Sequence, residues 1–408
     1  MSILNDIEAK LGQWLASPDT LRAISTGLRR HSPILVVGER AIVTRHADVL
    51  EVLRNDRDFG VTEIYAARME RTTGAFALGM EDGEQYRREA GFIRAAVRAD
   101  DLELVRGLVD ASCDALLQRV RSSGHIDAVA QFTHVIPIVL LQEYFGLVGP
   151  ESPTLARWMR TIFWEIFLNF SDIEEVRESA AHSSVELASC LRELIAQRKQ
   201  ELAEQRLQRD DFLSRLVRLQ AEHGADDECI RRSFGGVIVG SVDTQSKAMC
   251  NALDQLLRHP EALQAAEAAA REGNEALLSE YVWEALRFNP HNPILTRHCR
   301  NGATLAKGTE RETQIPPGTT VYAVTLSAMF DEAVFEHPEE FRIGRPRESY
   351  IHFGFGQHRC FGEPFNRVVV PRALMHLLRL PRLRIGMGGW SRIQFEGPFP
   401  QSFPLEFG

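Results

Sequence analysis

Apolar and polar positions along the chain follow two periods. Two short β-branched runs, 34–37 and 41–44, flank Gly38-Glu39-Arg40 and predict a hairpin, followed by a helix over 47–54. From residue 101 to 287 the apolar residues recur every three or four positions, predicting helices over 102–120, 126–147, 155–170, 176–203 and 212–219. Two more are predicted over 227–258 and 275–288. In the second, Leu278, Val282 and Leu286 share one face before Asn289-Pro290 stops the helix. Strand-like pieces at 319–324, 383–385 and 393–395 mix with turns, and a last helix is predicted over 364–380. The pattern implies a mainly α fold with a minor β part.

Composition narrows this picture. No linker, low-complexity tract or repeat interrupts the 408 residues, so one domain over 1–408 with a substantial core is expected. The six cysteines, Cys113, Cys190, Cys229, Cys250, Cys299 and Cys360, lie far apart, which suits a reducing cytoplasm better than a disulfide framework. Residues 1–15 alternate charged and apolar side chains as an amphipathic helix would, without a signal-type apolar stretch. No window approaches the roughly 18 continuous apolar residues of a membrane span. The net charge of −9 argues against a nucleic-acid binder.

The most informative segment runs from Phe353 through Gly354, Gly356, His358 and Cys360 to Gly362, just ahead of a helix opening at Pro364. A cysteine on a loop entering a helix N-terminus meets the helix dipole and unpaired backbone N–H groups. Both favour a thiolate, the form in which sulfur binds iron. Gly356 and Gly362 remove side chains where backbone must approach the sulfur or a macrocycle closely. The plain alternative is a buried structural cysteine in a glycine-rich loop.

The full spacing, Phe-x-x-Gly-x-x-x-Cys-x-Gly, resembles the haem-binding loop of the cytochrome P-450 family, and every fixed position matches. Two other segments, at the family's order in the chain, extend the resemblance over most of the sequence. Glu284 and Arg287 stand one helical turn apart and match the family's Glu-x-x-Arg pair, completed there by an arginine near Phe341-Arg342. The resemblance gives that set a structural role. Gly235, Gly236 and Gly240 precede Ser241-Val242-Asp243-Thr244 and resemble the family's oxygen-binding segment, with Ser241 replacing the usual glycine. Each interior glycine costs a helix about 1 kcal/mol relative to alanine, and passage of a flat macrocycle over the backbone would compensate. The alternatives are a solvated Asp243 and a Thr244 that bonds back to its own preceding turn.

The resemblance implies a P-450 fold, one large helical domain with small β-sheets, and haem b (iron protoporphyrin IX) with its iron on Cys360. Gly240 and Phe353 would lie against the haem, His358 and Arg297 would bond its propionates, and Asp243 and Thr244 would relay protons. The family's usual helix contribution, His or Trp followed four residues later by Arg, is missing, because Gln85 precedes Glu89 and Tyr86 precedes Ala90. Arg87 or Arg88 would have to replace it.

The activity implied is insertion of one oxygen atom from O2 into a hydrophobic small molecule. No dinucleotide loop or cluster-type cysteine spacing occurs, so electrons must come from an external ferredoxin or flavodoxin and its reductase. Nine arginines, Arg342, Arg345, Arg347, Arg359, Arg367, Arg372, Arg379, Arg382 and Arg384, form a candidate basic docking face for an acidic partner. The resemblance places the substrate roof at 59–80, 155–170, 290–295 and 398–403, where Trp158, Phe163, Trp164 and Phe167 suit either a pocket or a core. Two other activities compete: a peroxide-using peroxygenase or isomerase, and a non-catalytic haem-binding sensor or carrier.

Overall fold

The computed structural model describes residues 18–98, 100–386 and 392–408, so the predicted amphipathic segment 1–15 lies outside the described residues. The contacts between residues separate into two units, one made of 1–64 with 283–359 and the other of 65–282 with 360–408.

The first unit is organised by a five-stranded sheet, in the order Ile34–Val37, Arg40–Val43, Thr320–Ala323, Leu295–Cys299, Phe59–Gly60. Arg40–Val43 pairs parallel with Thr320–Ala323, and the other neighbours are antiparallel. The hairpin turn is only two residues long, because Val37 pairs with Arg40, and Gly38 takes the left-handed conformation (φ 56°) that such a turn demands. Ala41, Val43, Val321 and Ala323 pack with Val49, Val52 and Leu53 of the helix His46–Arg54. Burying each of the larger side chains contributes roughly 1.5–3 kcal/mol.

The second unit holds most of the helices. Asp101–Val120 buries Val105, Val109 and Cys113 at i+4 spacing and packs against Glu363–Leu378. There Arg372 donates two hydrogen bonds to Asp110, at 2.6 and 2.7 Å, and His376 approaches the same carboxylate at 2.8 Å. Asp211 and Asp226 start the helices Phe212–Leu219 and Asp227–Val239 by accepting the N–H groups of Ser214 and Cys229.

Two predicted helices differ from what is seen. The segment 126–147 begins as a strand, His125–Asp127, with Ile126 opposite Leu405 of Pro404–Glu406. Asp127 then turns the chain, accepting the N–H groups of Val129, Ala130 and Phe403, and only Val135–Glu143 is α-helical. The expected single helix over 227–258 is two, Asp227–Val239 and Asp243–Arg258. Hydroxyl groups compete for the backbone at the break: Ser241 Oγ donates to the Ile238 carbonyl (2.6 Å) and Thr244 Oγ1 to that of Gly240 (2.5 Å). Such back-bonding bends helices.

Candidate active site

Cys360 stands half-buried at the mouth of the helix Glu363–Leu378, whose second residue is Pro364. The N–H groups of Gly362 and Glu363 face its sulfur, as the sequence predicts. In the protein alone burial outweighs them and, with the Glu363 carboxylate, pushes the thiol up to about 11. A bound metal cation is what reverses that balance, since a coordinating thiol gives up its proton outright. A Cβ at Gly362 would sit 3.7 Å from the sulfur and 3.2 Å from Asn366 Nδ2, so this glycine does clear the approach to the ligand atom. Gly356 has another reason. At φ 74° its Cβ would fall 2.5 Å from the Leu53 carbonyl oxygen, so it lets the loop close on the helix His46–Arg54.

The three helix glycines also divide. A Cβ on Gly236 would run into the ring of Phe76 at 2.3 Å, and one on Gly235 would make ordinary contacts with Leu191 and Thr73. Only Gly240 faces open space, with nothing nearer than the Val237 carbonyl at 4.0 Å. The compensation expected of a flat macrocycle therefore concerns Gly240, while aromatic packing accounts for Gly236. Along this buried stretch the partly accessible residues are Val237, Gly240, Thr244 and Lys247, a single stripe at helical spacing. A stripe with one side chain missing at its centre, together with a sulfur faced by N–H groups, suits a flat ligand held by a thiolate.

Asp243 is not solvated; it is 2% exposed. Its Oδ1 accepts from Arg160 Nε (3.1 Å) and Nη2 (2.9 Å), and His134 Nε2 lies 3.3 Å away. Its Oδ2 is buried with no hydrogen-bond partner among the described residues. Arg160 also reaches Glu396 at 3.4 Å and lies over the ring of Phe399. Sequence separations of 83 and 109 residues hid these partners.

The other predicted site residues belong to the first unit. Arg297 is buried on the strand Leu295–Cys299 and donates to the Thr296 carbonyl at 3.0 Å. His358 Nε2 lies 3.5 Å from Asp56 Oδ1, and Phe353 packs edge-on to Trp283 at 5.4 Å. Glu284 and Arg287 are fully buried and bidentate, at 2.8 and 2.9 Å. Their third member is Arg345, whose Nε approaches Glu284 at 3.3 Å. Arg342 contributes only its backbone N–H, its side chain turning to Glu336. Tyr350, not foreseen, donates to Glu284 Oε2 at 2.9 Å; burial first and that carboxylate second hold its phenol well above the usual range.

Electrostatic pairing changes two further expectations. Arg87 is committed to Asp82 at the surface, whereas Arg94 lies over the ring of Phe361, next to the cysteine. Of the nine arginines in the supposed docking face, Arg342, Arg345, Arg367, Arg372 and Arg384 are in ion pairs and Arg379 donates to the Ala270 carbonyl. The patch is thus largely neutralised, by nearby Glu336 and Glu363 as well as by the more distant Glu284, Asp110 and Glu406. In the predicted roof, Trp158 is core, its indole donating to Glu186, while Phe163 and Phe167 cluster half-buried with Tyr65 and Phe399.

The cytochrome P-450 family model matches residues 35–389. This chain belongs to the cytochrome P-450 family. It is similar to the steroid C26-monooxygenase of Mycolicibacterium smegmatis, 27% identical over 357 residues covering 85% of this chain and 81% of that protein. It is also similar to the cyclomarin C epoxidase CymV of Salinispora arenicola, 28% identical over 295 residues covering 72% and 70%. The crystal structure of CalO2 superposes with a TM-score of 0.83 at 21% identity over 97% of this chain and 98% of that one. A Bacillus megaterium P-450 in complex with testosterone gives 0.78 at 19% identity over 95% and 99%. These likenesses show the mainly helical P-450 fold with its minor β content. Family membership implies haem b and oxygenase activity on small hydrophobic molecules. No described helix is long and apolar enough to cross a membrane.

Proposed function

We propose that this P-450 is a haem-thiolate monooxygenase that takes O2 and externally supplied electrons and oxidises a hydrophobic small molecule. The observation that carries the reading is the Cys360 sulfur, set at a helix mouth with two N–H groups on it, in a chain that also keeps Gly240 open beside Asp243 and Thr244. Haem held by that sulfur supplies electron donation that favours O–O heterolysis. The rest falls to the protein's own residues. Cys360 would be the iron ligand, Gly240 and Phe353 would lie against the macrocycle, and His358 and Arg297 would bond its propionates. Asp243 binds and releases a proton, and Thr244, whose hydroxyl rests on the Gly240 carbonyl, holds the next position in the relay. Phe163, Phe167, Tyr65 and Phe399 offer the guest an apolar surface.

Two relatives are named for oxygen insertion, a monooxygenase and an epoxidase, which supports this activity over a carrier or sensor. The buried Asp243 beside Thr244 favours O2 over peroxide as oxidant, because a peroxide-driven enzyme has no use for a proton relay. The test has two parts. The reduced protein treated with carbon monoxide is expected to show the red-displaced Soret band of sulfur coordination, lost in Cys360→Ser. Single turnover of reduced protein with O2 is then set against peroxide alone. Product from peroxide alone, or no band in the parent, would overturn the proposal. Thr244→Ala is expected to keep its haem while diverting electrons from product to peroxide.

A further inference from the structure

We infer that His134 is where protons enter the Asp243–Thr244 pair, one ring nitrogen alternating between Asp243 and Arg160. The inference rests on the proposed oxygenase reading and extends it to a residue outside the family's motifs.

His134 Nε2 lies 3.3 Å from Asp243 Oδ1 and 3.4 Å from Arg160 Nη2. With a proton on Nε2 the imidazole donates to the carboxylate and meets Arg160 donor to donor. Without one it accepts from Arg160 and repels the carboxylate. The two arrangements exclude each other at a single atom, so a proton there decides which neighbour is held. Arg160 cannot perform the transfer, because a guanidinium does not deprotonate in proteins. Histidine is the side-chain type that changes charge between about pH 5 and 8. Accessibility points the same way: the His134 side chain is 16% exposed and that of Asp243 is 2%.

The surrounding charges are accounted for. Arg160 comes from Ser152–Phe167 and Glu396 from the strand Gln394–Glu396, and the two pair with each other. Asp127, in the neighbouring strand His125–Asp127, is committed to Ser402 and to the N–H groups of Val129, Ala130 and Phe403. Lys247, one turn past Thr244 on the same helix, has its ammonium lowered to about 8 by burial.

The step transfers one proton and no electrons. The imidazolium N–H bond breaks as an O–H bond forms at Asp243 Oδ1, and the neutral ring then accepts from Arg160 Nη2. Solvent returns a proton to the imidazole. The Thr244 hydroxyl takes that proton as it gives up its own, which restores the carboxylate, and Arg160 keeps Glu396 and the face of Phe399 meanwhile. His134 is thus a positioning residue that acts through Asp243.

Two measurements on the haem-loaded protein test this. In the reduced, carbon-monoxide-bound form, which is diamagnetic, the ring nitrogen signals of His134 are read by 15N NMR. Both Asp243→Asn and Arg160→Met are expected to move them. Oxidation of reduced nicotinamide through a surrogate ferredoxin and its reductase is then followed without added substrate, across about pH 5 to 8 in light and heavy water. The parent is expected to show pH dependence and a solvent isotope effect. His134→Gln, which keeps a hydrogen-bonding side chain without titrating, is expected to lose the pH dependence while its Soret band is unchanged. His134→Asn serves if the glutamine variant loses haem. A profile unchanged in these variants, or nitrogen signals unmoved, overturns the relay while leaving the oxygenase reading intact. A parent without the sulfur-ligation band overturns both.

Discussion

Glu284 and Asp243 are both carboxylates almost wholly withdrawn from water, and they are held in opposite ways. Both oxygens of Glu284 are occupied, Oε1 by Arg287, Arg345 and the Arg342 N–H, and Oε2 by Arg287 and Tyr350. Asp243 has every partner on one oxygen, and none is found for the other among the described residues. Full occupancy fixes a charge in place; half occupancy holds it less firmly. A buried group kept partly satisfied costs free energy, so its persistence is a reason to look for chemistry there.

Stability measurements can break this contrast. The largest loss is expected for Arg287→Met, about 3–5 kcal/mol, because it takes a fully buried, bidentate countercharge from Glu284. Urea unfolding of the haem-loaded protein would show it as a lowered midpoint. Tyr350→Phe removes one hydrogen bond to the same carboxylate and should cost about 1.5–3 kcal/mol in the same assay. Asp243→Asn is expected to cost only about 1 kcal/mol, since one oxygen is unpartnered and Arg160 retains Glu396. A loss as large as that of Arg287→Met would mean that Asp243 is a structural lock too.

The smallest effect concerns a third, more exposed carboxylate. Burial alone would raise Asp110, but Arg372 and then His376 outweigh it and hold the acid below its ordinary value. A depressed acid contributes stability above the unfolded value of about 4, and that contribution disappears as pH falls through the folded one. Arg372→Met should therefore leave stability near pH 7 slightly reduced and shift acid unfolding to higher pH. An unmoved acid midpoint would place that ion pair among those worth nothing measurable.

What was legible in the sequence was local. The cysteine loop lies within ten residues and Glu284-Arg287 within one helical turn, so the family resemblance that singled them out could be read from short motifs. Helices with a clean apolar period, such as Glu275–Phe288 and Phe212–Leu219, also matched the pattern to the residue. What escaped depends on distant partners. Arg345 and Tyr350 reach Glu284 across 61 and 66 residues, and much of the neutralisation of the arginine patch required knowing where Asp110, Glu284 and Glu406 fall. The break after Val239 was half visible: the glycines announced a special helix, but their division between Phe76 and open space is a fact of packing.

The strand Pro404–Glu406 lies in the middle of its three-stranded sheet, between His125–Asp127 and Arg384–Ile385, and the N–H groups of Phe407 and Gly408 are bonded to Gly124 and Pro381. Any load applied at Gly408 would therefore pull on a central seam. Deleting residues 404–408 would take out that seam and leave His125–Asp127 and Arg384–Ile385 without the strand they share.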